Sequence, residues 1–264
     1  MEKRMTLERF LEGIRFPEEG RKGIYSECFT EEEYFRWKVL FYEEEGEFFR
    51  RLEGCAGKAE KLLWLYVRFA VERYGDFREK GISEKIYFDT FYDFTIWYTV
   101  YKKRTGKPGL GEANWLALPL KGKIFRLGRL QFEPGIMREI HPGEKVLHVH
   151  IPEGEPLNRE KCIASFREAR AFWDGEYAYF DCESWLLAPD LATLLPPESN
   201  IRQFQSLFAL QRVSYERRQA EERVFGYVSE DVDGYPENTF FQSALKAYVK
   251  KHGNVGTGYG IRNM

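Results

Sequence analysis

The chain has 264 residues, 43% of them hydrophobic and 31% charged, with a formal net charge of −2. That balance excludes a disordered polymer, which lacks the apolar residues to offset ordering entropy, and a general polyanion binder, which needs a basic surplus. The length suits one large or two ordinary domains.

Aromatic residues make up 17% of the chain, enough to fill a core or line a pocket. Met1-Glu-Lys-Arg-Met5 is not followed by an apolar signal region, and the apolar run Leu62 to Val67 is too short to span a bilayer. A soluble cytoplasmic protein with no membrane partner is expected. Cys28, Cys55, Cys162 and Cys182 form no CxxC pair, so neither zinc spacing nor a disulfide framework is indicated.

The first 105 or so residues read as helical. Over 31–53, Tyr34, Phe35, Val39, Leu40, Tyr42, Phe48, Phe49 and Leu52 recur at helical spacing among charged residues. Residues 58–74 carry Leu62, Leu63, Leu65, Tyr66, Phe69 and Ala70, with Gly75 as a stop. A third helix is expected over 89–104, with Thr90 and Asp93 spaced as a capping box and Gly106-Lys-Pro-Gly109 ending it. Its aromatics, Phe88, Phe91, Tyr92, Phe94, Trp97 and Tyr98, suit a helical core better than a pocket floor.

After about residue 118, strand-like and helix-like segments alternate. Strands are expected at 125–133 and 146–151, a helix near 159–173, a strand over 177–187 and a helix near 200–211. A strand near 223–228, a helix over 239–251 capped by Thr239 and Gly253, and a last strand within 255–261 complete the pattern. Asn200 and Gln203 are spaced as a capping box. Gly256, Gly258 and Gly260 suit a strand that another backbone approaches closely, because a phosphate cradle needs a helix after it.

The candidate site lies in the first two strands. Side chains alternate along a strand, so Arg129, Gln131 and Glu133 share one face of 125–133, and His148 and His150 share one face of 146–151. Pairing the two as an antiparallel hairpin, apolar faces together, puts both histidines beside the arginine, the glutamine and the glutamate. The histidines could act as general bases, as metal ligands with His-x-His spacing, or as part of a wet polar face. Gly143, His148, His150 and Glu153 distantly echo a cupin motif, but no second motif follows. Glu133 is a base, a partner for a histidine or an ion-pair partner for Arg129. On the third strand Cys182 and Ser184 are candidate nucleophiles or small fillers, and Trp185 is a stacking platform or a core residue.

Several strings carry a resemblance: RLGRLQFE at 126–133, LHVHIP at 147–152, CESWLL at 182–187, SNI at 199–201, GTGYG at 256–260 and FDTFYDFTIW at 88–97. In order and spacing they resemble a family of bacterial acyltransferase-domain proteins. Its members join a helical N-acyltransferase N-terminal domain to a GNAT-like C-terminal domain. The resemblance implies an α+β chain, with a helical domain over 1–117 and a GNAT-like mixed-sheet domain over 118–264. It also implies acyl transfer from acyl-CoA to a small acceptor.

One departure matters. GNAT enzymes bind the coenzyme A pyrophosphate with a glycine-rich loop between the central strand and the next helix. The equivalent segment here, Pro152 to Asn158, has one glycine, two prolines and the carboxylates of Glu153 and Glu155. The leading expectation is an acyl-CoA-dependent N-acyltransferase with a small-molecule acceptor, no nucleic-acid partner and no metal. His148, Glu133, His150, Cys182 and Ser184 are its candidate catalytic residues, and Arg129, Gln131 and Trp185 its candidate substrate contacts. Two alternatives stay open: a non-catalytic ligand-binding module on the same fold, and a metal-dependent enzyme using His148 and His150.

Overall fold

The computed structural model describes residues 4–264. The chain forms two compact units, one running to Leu127 and including Pro152–Gly154, the other comprising Gly128–Ile151 and Glu155–Met264.

The first unit is helical: α1 (Leu7–Gly13), α2 (Glu18–Tyr25), α3 (Glu31–Glu43), α4 (Glu45–Glu53), α5 (Lys58–Glu79), α6 (Glu84–Phe91), α7 (Asp93–Thr105) and α8 (Ala113–Leu120), followed by β1 (Phe125–Leu127). Thr30 and Glu33 form a reciprocal capping box at the start of α3, and Ser83 caps α6. The long α5 buries Leu62, Leu65, Tyr66, Phe69 and Ala70. Around it lies a web of edge-to-face rings, including Phe10 against Tyr87 and Phe91, and Phe41 against Phe48 and Tyr66.

Three helix boundaries differ from the sequence expectation. The 31–53 stretch breaks at Glu44, and 89–104 belongs to two helices that meet at Tyr92. Helix α5 runs through Gly75 to Glu79, because one glycine costs a helix only about 1 kcal/mol, which packing overrides. Thr90 is not a cap. It is fully buried in α6, and its hydroxyl accepts from the Arg126 N–H of β1 at 3.0 Å.

The second unit contains β2 (Leu130–Ile136), β3 (Lys145–His150), α9 (Arg159–Phe172), β4 (Tyr179–Ser184), α10 (Asn200–Gln205), β5 (Ala209–Ser214), α11 (Gln219–Phe225), α12 (Phe240–His252) and β6 (Thr257–Asn263). The strands lie in the order β2-β3-β4-β6-β5, antiparallel except for the parallel pair β3 and β4. Helix α9 covers one face, with Phe166 against Phe132 and Phe180. Residues Ala188, Leu191, Ala220, Phe225, Tyr235, Leu245 and Val249 form a second core under α11 and α12.

The 223–228 segment is not a strand: 219–225 is helix α11, closed by Gly226 in the left-handed conformation. The 200–211 helix stops at Gln205, and Ala209 onward joins the sheet as β5. Its cap is Ser199, whose hydroxyl accepts from the Arg202 N–H, rather than Asn200. The glycines of β6 answer to crowding: a Cβ on Gly258 would lie 2.6 Å from the Leu187 carbonyl oxygen, and one on Gly260 2.9 Å from Phe208 Cβ. Among the described residues no helix is long and apolar enough to cross a membrane.

Candidate active site

Strands β2 and β3 pair antiparallel, with Gln131 opposite His150 and Glu133 opposite His148. The parallel register of β4 sets Asp181 opposite His148, and the antiparallel register of β6 sets Tyr259 opposite Glu183. By alternation, Gln131, Glu133, His148, His150, Asp181 and Tyr259 therefore share the face opposite α9.

Two histidine–carboxylate pairs stand on that face. His148 Nδ1 lies 2.7 Å from Asp181 Oδ1, and the buried carboxylate also accepts from the Tyr259 hydroxyl at 3.0 Å on Oδ2. The hydrogen bond to Asp181 holds the His148 pKa above the ordinary histidine value of 6.5, outweighing partial burial. Nδ1–H is thereby the donor, which leaves Nε2 as the proton acceptor. Burial, with Asp181 nearby, pushes the Tyr259 phenol up, so it stays a protonated donor. His150 Nε2 lies 3.1 Å from Glu133 Oε2.

The His148 ring has room because residue 135 is glycine. A Cβ there would sit 2.1 Å from His148 Nε2.

The other candidates are placed elsewhere. Arg129 lies in the turn before β2; its N–H donates to Ser165 Oγ at 2.7 Å, and its guanidinium donates to the carbonyls of Glu155 (2.5 Å) and Pro156 (3.2 Å). It braces the segment after β3 and stands in the turn before β2, outside the strand whose alternation carries Gln131 and Glu133. Cys182 is buried on the α9 face, by alternation opposite to His148, and burial pushes its thiol well up, away from the thiolate a nucleophile needs. Ser184 shares that parity, and its hydroxyl accepts from the Leu186 N–H in a 3₁₀ turn over Trp185–Leu187. Trp185 packs on Phe241 in the second core. Asp181, Tyr259 and Gly135 were not among the candidates. The sequence signals for them were an acid inside an apolar strand and an aromatic between glycines.

No group of three His, Cys, Asp or Glu side chains with metal-binding geometry occurs among the described residues.

Backbone geometry adds an opening. β3 and β4 pair only over Val146–His148 and Tyr179–Asp181. β3 stays paired with β2 as far as His150, and β4 with β6 as far as Ser184. The facing edges of the two parallel strands thus separate beyond the His148–Asp181 pair, at their carboxyl ends, where open α/β sheets take ligands.

A family model described as an N-acyltransferase N-terminal domain matches residues 5–122, and one described as a GNAT-like C-terminal domain matches residues 124–262. The chain belongs to this GNAT-like acyltransferase family. Solved structures agree in fold. An acyltransferase in complex with decanoyl-CoA and teicoplanin superposes with a TM-score of 0.82 at 21% identity, over 97% of this chain and 87% of that one. A mutant of an acyltransferase in complex with octanoyl-CoA gives the same TM-score and identity over 98% of this chain and 87% of that one. Comparison with curated proteins gives no match.

In the GNAT-like domain the start of α9 is capped by its own side chain. Asn158 Oδ1 accepts from the N–H groups of Glu160 and Lys161, both at 3.0 Å, so two first-turn donors that could face a pyrophosphate are already engaged. Glu155 is paired with Lys161 at 3.6 Å, which offsets part of the negative charge of this segment.

Proposed function

We propose that the protein transfers an acyl group from an acyl-coenzyme A thioester to a nucleophilic small-molecule acceptor, with His148 as general base. The observation that carries this reading is the opening between β3 and β4 with the His148–Asp181 pair at its vertex. Family membership supports it, as do the acyl-CoA complexes of proteins that share the fold.

A thioester arm lying between the separated strands adds its amides to their edges, as an extra strand would. The acceptor's lone pair attacks the thioester carbonyl carbon while His148 Nε2 takes its proton. Asp181 fixes the ring and stabilises the imidazolium, and Tyr259 holds the second carboxylate oxygen in place. A backbone N–H at the strand opening stabilises the oxyanion. Collapse of the tetrahedral species breaks the carbon–sulfur bond and releases coenzyme A as the thiolate. Glu133 and His150 border the base on the acceptor side of the face.

Calorimetric titration with acetyl-coenzyme A, with free coenzyme A as control, tests the reading. Saturable binding near or below about 100 μM, roughly −5.5 kcal/mol, is expected. Absence of heat and of thermal stabilisation at millimolar ligand would sink it. The capped start of α9 favours one alternative, a ligand-binding module without turnover, and a measured transfer rate excludes that alternative.

Gly135→Ala should lower turnover about tenfold or more by displacing the His148 ring. The overpacking should cost only about 1–3 kcal/mol of stability. Equal turnover in a folded Gly135→Ala variant would show that the ring position is immaterial.

A further inference from the structure

The loop joining β2 to β3, residues 137–144, does not project away from the sheet. Its base is tied by Met137 N–H to the Glu144 carbonyl at 2.9 Å and Gly143 N–H to the Met137 carbonyl at 3.0 Å. Its middle leans over the face that carries His148: the His141 ring stacks on Tyr179 of β4 at 4.6 Å, and Glu139 reaches Arg212 of β5 at 3.1 Å. Arg212 also binds Glu183 at 2.9 Å and lies over the Tyr259 ring. β3 and β5 are three strand spacings apart, about 14 Å, so the Glu139–Arg212 contact requires the loop to lie across β4 and β6.

Beneath this strap, Met137, Val146, Tyr259 and Ile261 form a closed apolar cluster with Tyr179 packed against it. Tyr259 joins that cluster to the Asp181 carboxylate. The cluster therefore begins where the β3–β4 opening ends.

The nucleotide end of coenzyme A is too bulky to enter between two strands, so a bound thioester must lead with its acyl group toward the vertex. There the paired backbones of Val146–His148 and Tyr179–Asp181 bar the way within the sheet. A longer chain would have to lift onto one face. On the α9 face it meets Phe166 and Phe180, both at most 4% exposed; on the other it meets the strapped cluster, with Met137 2% exposed. The burial of these side chains packs both faces beside the vertex, which disfavours a further run of methylenes there.

Resting on the acyl-thioester reading, we infer that this enzyme selects short acyl groups, acetyl or propionyl, and that Met137 is the residue that stops the chain. The solved acyltransferases of the same fold hold octanoyl- and decanoyl-CoA, so acyl length is a property in which this chain is expected to differ from them.

The test is calorimetric titration of the full chain with coenzyme A and with its acetyl, butanoyl and octanoyl thioesters, repeated on Met137→Ala and Met137→Leu. In the wild type, affinity should fall from acetyl to octanoyl. Met137→Ala should raise the ratio of octanoyl to acetyl affinity by about tenfold or more, since each newly buried methylene is worth roughly fourfold. Met137→Leu, of nearly the same volume, should keep the wild-type order and serves as the folding control. Wild-type binding of octanoyl-coenzyme A as tight as that of the acetyl thioester overturns the inference while leaving acyl transfer standing. An unchanged ratio in a folded Met137→Ala variant overturns the role of Met137. Failure of every thioester and of coenzyme A itself removes the underlying reading, and the inference with it.

Discussion

His148→Ala is expected to lower the rate of acyl transfer by about 10²–10⁴-fold, the usual worth of a positioned general base, with little change in acyl-coenzyme A affinity. Its pH dependence gives the sharper check. The base must be neutral to accept a proton, and the bond to Asp181 holds the His148 pKa above 6.5. kcat/KM should therefore rise with pH along a limb centred above 6.5. Asp181→Asn removes the main cause of the raised value and leaves partial burial, which acts the other way. The limb should then move to lower pH while the maximum rate falls. The same linkage bears on stability: the stabilisation from the pair is fully present below the unfolded value near 6.5 and is lost as pH rises through the higher folded value. A His148→Ala variant that is fully active, or an Asp181→Asn profile that does not move, would assign the proton transfer to another group, and Glu133–His150 is the pair to test next.

Phe91→Ala should give the largest loss of stability, about 3–5 kcal/mol, because it empties a site that cannot collapse easily. Phe91 is fully buried and touches Phe10, Phe77, Tyr87 and Phe94 at ring separations of 4.9 to 5.8 Å. Thermal unfolding of the full chain should begin roughly 10 °C lower. Phe35→Ala is the matched control: that ring is 52% exposed on α3, and its loss should stay within about 0.5 kcal/mol. Equal effects from the two would mean that the ring web of the first unit is not what stabilises it.

The hairpin face was legible because the information is local. A period of two in RLGRLQFE and LHVHIP, with apolar residues to be buried on one side, leaves one register that keeps Glu133 and His148 together. What escaped is non-local. Asp181 joins the face only through the parallel register of β3 with β4, and Tyr259 only because β6 inserts between β4 and β5. Neither pairing leaves a mark in the separate segments. The pairing of Glu133 with His150 is likewise a product of the strand register, while Arg129 falls in the turn ahead of β2 and outside its alternation. β5 was hidden by composition. Its exposed edge sequence, Ala209-Leu-Gln-Arg-Val-Ser214, has neither a buried face nor a clear period, and only its ladder with β6 makes it a strand. Helix α11 carried a readable stop in Gly226, but the apolar pair Val224-Phe225 just before it reads equally as the strand expected near 223–228.

The insertion of β6 has a kinetic consequence. β2 and β3 are neighbours in sequence and can close as a hairpin on the microsecond scale. β4 and β5 are separated by α10 and meet only through β6, which follows both of them and α12. Loop closure over such a span must come before its contacts contribute, so the second unit should fold slowly, with the partly built sheet exposing the edges of β4 and β5 until β6 arrives. A chaperone or protease would meet the protein in that interval, and the rate of β6 docking, more than the stability of the finished sheet, would then decide how much active protein a cell obtains.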